Sequence, residues 1–252
     1  MKIIDLSVPM DVNSKEPFPP EITYIDHKSS VERASKLFGI DPLEWPEGKA
    51  WATELVNLST HTGTHVDAPY HYWDMTGDQP AKKIHELPLE WFIGNGVLLD
   101  FTEKERATEI TEAEVVAELE RINHTLSPGE IVLIRTDSDK KFYNDDYAKT
   151  HPGMSAEATR YLISKGIKVM GTDGYGWDVP FEVQGKLYKE TNDPDVLWSA
   201  HYVGKELEYV QIEKLANLEK LPSPTGFKVI AIPINIIGAS GSWVRPIAII
   251  DE

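Results

Sequence analysis

The segment at residues 61–71, HTGTHVDAPYH, holds three of the chain's eight histidines and one aspartate. Its β-branched residues, glycine and proline disfavour a helix, so we predict a strand that Pro69 ends and a following turn that returns His71. Alternate side chains of a strand share one face. The fold must therefore place this short segment where His61, His65 and Asp67 meet at a common centre.

These residue types are metal ligands. Imidazole and carboxylate groups bind borderline cations such as Zn²⁺ and Mn²⁺, and hydrolases use such cations to make water nucleophilic near neutral pH. The alternative interpretation, structural histidines of a core or surface, suits a lone histidine better than three that accompany an aspartate. Because the chain has no cysteine, thiolate ligands, disulfides and a cysteine nucleophile are excluded. We therefore predict a metal-dependent hydrolase.

The net charge and the hydropathy of the chain argue against nucleic-acid and membrane partners. The formal net charge of −16 disfavours nucleic acid and anionic membranes, since both bind clustered Lys and Arg. The first five residues place Asp5 where a secretory signal would need its apolar core, and no segment approaches the roughly 20 apolar residues of a membrane span. We predict a cytoplasmic protein that acts on a small molecule, without nucleic-acid or membrane partners.

The elements predict one α+β domain, residues 1–252, with a mostly β core. Residues 9–51 are rich in proline and aromatic residues and predict an elaborated loop or lid, with one short helix at Val31–Phe38. Thr111 and Ser155 have the sequence context of helix N-caps, and Gly166 that of a left-handed helix end. Apolar runs predict strands at residues 96–101, 130–135, 167–171, 229–234 and 247–250.

The histidine segment also matches every defined position of the motif HxGTHxDxPxH. The chain thereby resembles the cyclase family, which contains bacterial kynurenine formamidase (arylformamidase) and isatin hydrolase. Further similarity lies at residues 5–9, 129–136, 151–155, 171–173, 212–218 and 238–248. The resemblance covers most of residues 55–252 but not residues 18–51, and it implies a swivelling β/β/α fold.

The resemblance also implies roles for individual residues. His61, His65 and Asp67 would bind metal, and His71 would donate and accept protons. In formamidase-like members a later His and a Glu twelve positions after it complete a two-metal site. In this chain those two residues are His201 and Glu213. The expected cofactor is a pair of Zn²⁺ ions bridged by Asp67, with Glu213 as a further candidate bridge and Mn²⁺ as the alternative metal.

The substrate is the more open question. The expected reaction is hydrolysis of an amide C–N bond, with an aryl formamide such as N-formylkynurenine as the leading substrate. Alternatives are ring opening of a cyclic amide or imide with one Mn²⁺, as in isatin hydrolase, ring opening of a lactone, and a metal-stabilised binding protein without turnover. A homo-oligomer, dimer or tetramer, is expected from the resemblance. The predicted pocket residues, mostly aromatic, are Phe18, Trp45, Trp51, Tyr70, Trp73 and Asp178.

Overall fold

The structure is a computed structural model that describes residues 1–250. The strands are β1 (Lys2–Asp5), β2 (Glu21–Ile25), β3 (Thr53–Asn57), β4 (His65–Asp67), β5 (Met75–Thr76), β6 (Gln79–Pro80), β7 (Ile93–Asp100), β8 (Glu109–Ile110), β9 (Ile131–Arg135), β10 (Gly153–Met154), β11 (Val169–Thr172), β12 (Val210–Glu213), β13 (Phe227–Ile230), β14 (Gly241–Trp243) and β15 (Ile247–Ile250). The α-helices are α1 (Val31–Phe38), α2 (Pro69–Tyr72), α3 (Glu112–Arg121), α4 (Tyr147–Thr150), α5 (Ala156–Ser164) and α6 (Phe181–Thr191).

Nine strands form one mixed sheet in the order β1-β15-β13-β7-β9-β11-β12-β4-β14. The central strands β7, β9, β11 and β12 run parallel, whereas β4 and β14 at one end and β13, β15 and β1 at the other pair antiparallel. This is the α+β fold with a mostly β core that the sequence predicts. Each predicted strand overlaps an observed one, with ends displaced by a few residues.

Both faces of the sheet are buried. Because side chains alternate along a strand, each strand contributes to two different cores. In β9, Val132 and Ile134 face a core shared with α3 and α5, whereas Ile131 and Leu133 face a second core. The second core also holds Ile4 of β1, from the opposite end of the sheet to β4. The sheet therefore curls, and its two ends contribute to one core.

The predicted helix caps are confirmed. The Thr111 hydroxyl accepts a hydrogen bond from the Glu114 amide, and the Glu114 carboxylate accepts one from the Thr111 amide, which together form a capping box. Ser155 caps α5 by accepting from the Ala158 amide, and Gly166 has φ +86° just beyond that helix. These caps fix two helices that cover the sheet.

The N-terminal segment differs from the loop that the sequence predicts. The predicted helix is present as α1, but β2 within this segment pairs antiparallel with β3, from Glu21 opposite Asn57 to Ile25 opposite Thr53. The result is a hairpin whose long connection, residues 26–52, contains α1. We call residues 21–57 the arm.

The histidine segment also departs from the predicted strand. Only His65–Asp67 is strand, and His61 and Gly63 lie in the preceding turn, where Gly63 has φ +63°. Pro69 starts the short helix α2 rather than leading into a plain turn, because proline suits the first position of a helix. His71 lies in that helix. Within residues 1–250, no helix has the length and apolarity to cross a membrane.

Candidate active site

The centre of the site is strand β4, which lies between β12 and β14. His65 is opposite Glu213 of β12 and opposite Trp243 of β14, and Asp67 is opposite Gly241. Strand pairing on both sides therefore fixes the backbone of His65 and Asp67. The same register brings Glu213 beside His65, although 148 residues separate them in the sequence.

Four imidazoles surround the carboxylate of Asp67, which is fully buried. The ring nitrogens nearest to its oxygens lie at the following distances: His61 Nδ1 at 2.7 Å, His65 Nε2 at 3.1 Å, His201 Nε2 at 3.8 Å and His71 Nε2 at 3.9 Å. Burial raises the pKa of Asp67, but charge attraction from His71, His65 and His61 brings it well below its ordinary value. Asp67 is therefore an anion at the middle of the group.

Two of the central atoms lack a hydrogen-bonding partner. His65 donates from Nδ1 to the carbonyl of Gly63 at 2.8 Å, so Nε2 is the ring nitrogen that faces the centre. That Nε2 and Asp67 Oδ2 are both buried and make no hydrogen bond. Two buried carboxylates face this nitrogen, Asp67 at 3.1 Å and Glu213 at 3.6 Å, so the group requires positive charge at its centre, which a divalent cation would supply.

His201 is oriented by a second carboxylate. Its Nδ1 donates to Asp178, which also accepts from the backbone amides of Ala200 at 2.8 Å and His201 at 3.2 Å. Burial lowers the pKa of His201, but Asp178 raises it well above its ordinary value. The ring thereby directs Nε2 towards Glu213, 3.5 Å away. Carboxylate–histidine pairs of this kind fix a ligand histidine and its tautomer in metal sites.

His61 and His71 stack at 4.0 Å between ring centroids. Burial lowers the pKa of His61, yet the charge and hydrogen bond of Asp67 leave it above its ordinary value. Burial lowers the pKa of His71 to about 4, with the positive charges of His61 and His201 adding to the effect. Glu213 accepts from the backbone amide of Trp177 at 2.9 Å, which fixes that carboxylate towards the centre.

The donors fit a divalent metal. At this centre there are two sets of three candidate ligand residues, and Asp67 belongs to both. Within each set the ligand atoms lie within 4.8 Å of one another. One set contains His61, Asp67 and His71, and the other contains His65, Asp67 and Glu213. Imidazole and carboxylate donors, a shared carboxylate and unpartnered buried atoms are what a one- or two-metal hydrolase centre requires.

The centre opens into a cavity of about 240 Å³. Of the predicted pocket residues, Phe18 and Asp178 line this cavity. The other four are not in its lining. Trp45 and Trp51 pack against Phe38 within the arm, Tyr70 lies under the Lys83 ammonium, and Trp73 under that of Lys205. Nearness to the motif in sequence therefore does not bring Tyr70, in α2, or Trp73, directly after α2, into the lining.

The lining also includes residues that were not predicted from the sequence, among them the rings of His151, Tyr175, Phe181 and Trp198. The Trp198 ring stacks on His201 at 4.5 Å, and its backbone has φ +55°, which is unusual for a large side chain. His151 donates from Nε2 to the carbonyl of Asp178 at 3.0 Å. His151 lies within the family-like segment at residues 151–155 and Tyr175 lies near the one at residues 171–173, but such a position does not show where a side chain points.

The fold and the site now allow comparison with known proteins. The model of the Cyclase family matches residues 4–179. The chain belongs to this family. It is 28% identical to isatin hydrolase of Roseibium aggregatum over 223 residues, which are 82% of this chain and 78% of the relative. It is 26% identical to kynurenine formamidase of Bacillus cereus over 211 residues, which are 81% and 84% of the two chains.

Solved structures give the same result. The structure of isatin hydrolase A from Labrenzia aggregata, bound to benzyl benzoate, matches this chain with a TM-score of 0.77 and 28% sequence identity. The match covers 100% of this chain and 94% of the other. A structure described as a potential metal-dependent hydrolase with cyclase activity has a TM-score of 0.65 at 20% identity and supports the fold alone. Together these comparisons support a hydrolase of the Cyclase family.

Proposed function

We propose that this Cyclase family member is a metal-dependent hydrolase that cleaves the C–N bond of a small aromatic amide. The observation that carries the proposal is the set of acceptor atoms at the centre. His65 Nε2 and Asp67 Oδ2 are buried, unpartnered and directed towards further carboxylate and imidazole groups. Such an arrangement is stable only around positive charge, and a divalent cation supplies it.

His61, His65, Asp67, His201 and Glu213 would hold the metal. A divalent cation bound there lowers the pKa of a water ligand towards 7 and polarises a carbonyl oxygen. The protein holds the donor side chains in place. Strand pairing does this for His65 and Asp67, and the hydrogen bond to Asp178 does it for His201. Two Zn²⁺ ions are our leading proposal, because Asp67 belongs to two sets of donors that could each hold one ion, and a single Mn²⁺ is the alternative.

His71 is proposed as the proton carrier. It lines the cavity beside the centre, and it projects from α2 rather than from the paired strand. Its Nε2 lies 3.9 Å from Asp67, the longest of the four imidazole distances. A ring in that position reaches both the nucleophile and a leaving nitrogen bound in the cavity.

The lining of the cavity separates two substrate candidates. Aromatic side chains from Phe18, Tyr175, Phe181 and Trp198 suit an aryl group. Lys214, the only lysine or arginine among the described lining residues, is paired with Glu16 and is therefore not available to bind a substrate carboxylate. This favours an uncharged aryl formamide or a cyclic aryl amide such as isatin over N-formylkynurenine, which carries an amino-acid group.

The test is a turnover assay with purified protein. Metal is removed with a chelator, and Zn²⁺ or Mn²⁺ is restored before incubation with isatin, a simple aryl formamide, N-formylkynurenine, cyclic imides and lactones. We expect metal-dependent hydrolysis of an aromatic amide, lost with the chelator and lost in His65→Ala. Hydrolysis that survives complete metal removal would contradict the proposal.

A second set of variants tests the roles. His71→Ala should abolish turnover while the metal content of the protein is retained, because His71 is proposed to move protons. Loss of metal together with His71 would make it a ligand instead. A protein that binds metal and an aromatic amide but never turns it over would support the binding-protein alternative.

A further inference from the structure

A buried ion pair stands at the wall of the cavity, outside the set of proposed ligands. Glu16 and Lys214 are in direct contact, and each side chain is only 3% exposed. Glu16 comes from the segment before the arm, and Lys214 follows Glu213 directly at the end of β12. The pair therefore links two distant segments at the point where the proposed ligands gather.

The pair also holds the turn that carries His61. The Lys214 ammonium donates to the backbone carbonyl of His61 at 2.8 Å and lies 4.6 Å from the centre of the Tyr175 ring. The Glu16 carboxylate accepts from the backbone amide of Gly63 at 3.1 and 3.2 Å. Each charge thus has a partner of opposite sign, and both side chains also hydrogen-bond to the backbone of the same turn. We call these contacts the clasp.

The backbone of Lys214 indicates that its side chain is needed. Lys214 has φ +58°, in the left-handed region that glycine and asparagine adopt more readily than lysine. Its amide still donates to the carbonyl of Gly174 at 3.0 Å, so the strained conformation is held in place. Strain of this kind persists where the surrounding structure requires it, and it is concentrated at functional sites.

The clasp matters because His61 has no strand to hold it. His65 is paired on both sides, by β12 and β14, whereas His61 lies in a turn at residues 59–63. The Lys214 and Glu16 contacts supply the fixed points of this turn next to β12. We infer that Lys214, through the clasp, is a positioning residue that sets His61 against Asp67 and so tightens metal binding. The inference rests on the proposed function.

The experiment measures Zn²⁺ affinity by competition with a chromogenic chelator. The test variant combines Glu16→Gln with Lys214→Gly, which removes both charges and leaves a residue suited to φ +58°. It is compared with wild type, with His61→Ala and with the triple variant, at a temperature where circular dichroism shows all four folded. This cycle separates an effect through His61 from a general loss of structure.

We expect the double variant to bind at least one Zn²⁺ equivalent roughly 10- to 100-fold more weakly than wild type. In the His61→Ala background the same two changes should weaken binding no further. An affinity unchanged in the double variant, or an equal loss in both backgrounds, would overturn the inference.

Two controls separate this result from failure of the proposed function. The first is Lys104→Gln with Glu114→Gln, which removes an ion pair outside the cavity and keeps a capping glutamine; it should bind Zn²⁺ as wild type does. The second is wild type against His65→Ala. Zn²⁺ bound by wild type and lost in His65→Ala upholds the metal centre whatever the clasp does, and no Zn²⁺ bound by wild type overturns the proposed function itself.

Discussion

At the scale of single residues, the position of His201 depends on Asp178. The carboxylate accepts from the ring and from two backbone amides at the start of the His201 turn, so it fixes both the backbone and the imidazole plane. Asp178 was predicted as a pocket residue, and the structure adds this contact with His201. The sequence alone could not show it, because 23 residues separate the two.

Asp178→Asn tests this contact. The amide keeps the size of the side chain but removes the charge that raises the pKa of His201 and holds Nδ1 protonated. We expect Zn²⁺ affinity to fall roughly 10- to 100-fold while the fold is retained. The measurement is chelator competition, and an unchanged affinity would show that Asp178 does not orient a metal ligand.

His151 gives a prediction about pH. Burial lowers the pKa of this ring from 6.5 to about 4. As pH falls through 6.5, His151 is protonated in the unfolded chain, whereas in the folded chain it stays neutral until about pH 4. The free energy of unfolding therefore has its full His151 contribution above pH 6.5 and loses it as pH falls towards 4. His151→Gln, which keeps a donor for the Asp178 carbonyl, should show a shallower loss.

The slope of the unfolding free energy against pH should differ between wild type and His151→Gln by up to about 1.4 kcal/mol per pH unit between pH 6.5 and 4. Urea unfolding of wild type and His151→Gln at several pH values measures it. Parallel stability curves would mean that His151 does not titrate in this way.

At the scale of elements, the site depends on how closely β14 approaches the histidine turn. Gly241 of β14 lies opposite Asp67, and a Cβ added there would lie 2.7 Å from Cε1 of His61 and 2.8 Å from the Val66 carbonyl. Gly241→Ala should therefore displace the His61 ring, weaken Zn²⁺ binding and cost about 1–3 kcal/mol of stability. Chelator competition and urea unfolding test both effects.

Gly185→Ala is the matched control. Gly185 lies in α6, and no atom lies within 4 Å of the place where its Cβ would be. Alanine should stabilise the helix by up to about 1 kcal/mol and leave Zn²⁺ affinity unchanged. Equal behaviour of the two alanine variants would contradict the close approach at Gly241.

Elements were predictable from sequence to the extent that local patterns determine them. The caps at Thr111 and Ser155 satisfy backbone groups within a few residues, so local sequence is enough to find them. The pairing of β2 with β3 spans the whole arm and has no local signal. The predicted strand at residues 61–67 was too long because Gly63, at φ +63°, turns the chain before β4 begins.

At the scale of the whole molecule, the arm exposes apolar surface. Leu37, Phe38, Leu43 and Trp51 are all exposed, with Leu43 at 91%. Large exposed apolar areas on a soluble fold commonly mark contacts with another chain. The prediction of a homo-oligomer from the resemblance is consistent with this surface.

Light scattering on the purified protein tests that prediction. We expect a mass of two or four chains, and we expect Phe38→Asp with Leu43→Asp to shift it towards one chain. A wild-type mass of 28.4 kDa, that of a single chain, would contradict it.

The site itself was predictable in two unequal parts. His61, His65, Asp67 and His71 lie within one short segment, so their chemistry is visible in the sequence. His201 and Glu213 came only from the family resemblance, because long-range contacts bring them in: the pairing of β12 with β4 for Glu213 and the contact with Asp178 for His201. The clasp is a long-range contact with no local signal, and neither residue type nor spacing indicates it.

The most direct test of the account is anomalous diffraction from crystals grown with Zn²⁺. The account predicts one or two strong peaks at bonding distance, roughly 2.0–2.2 Å, from Asp67 and from the imidazoles of His61 and His65, with His201 and Glu213 completing the ligands. A crystal with no peak among these side chains, at a Zn²⁺ concentration that saturates binding in solution, would contradict it.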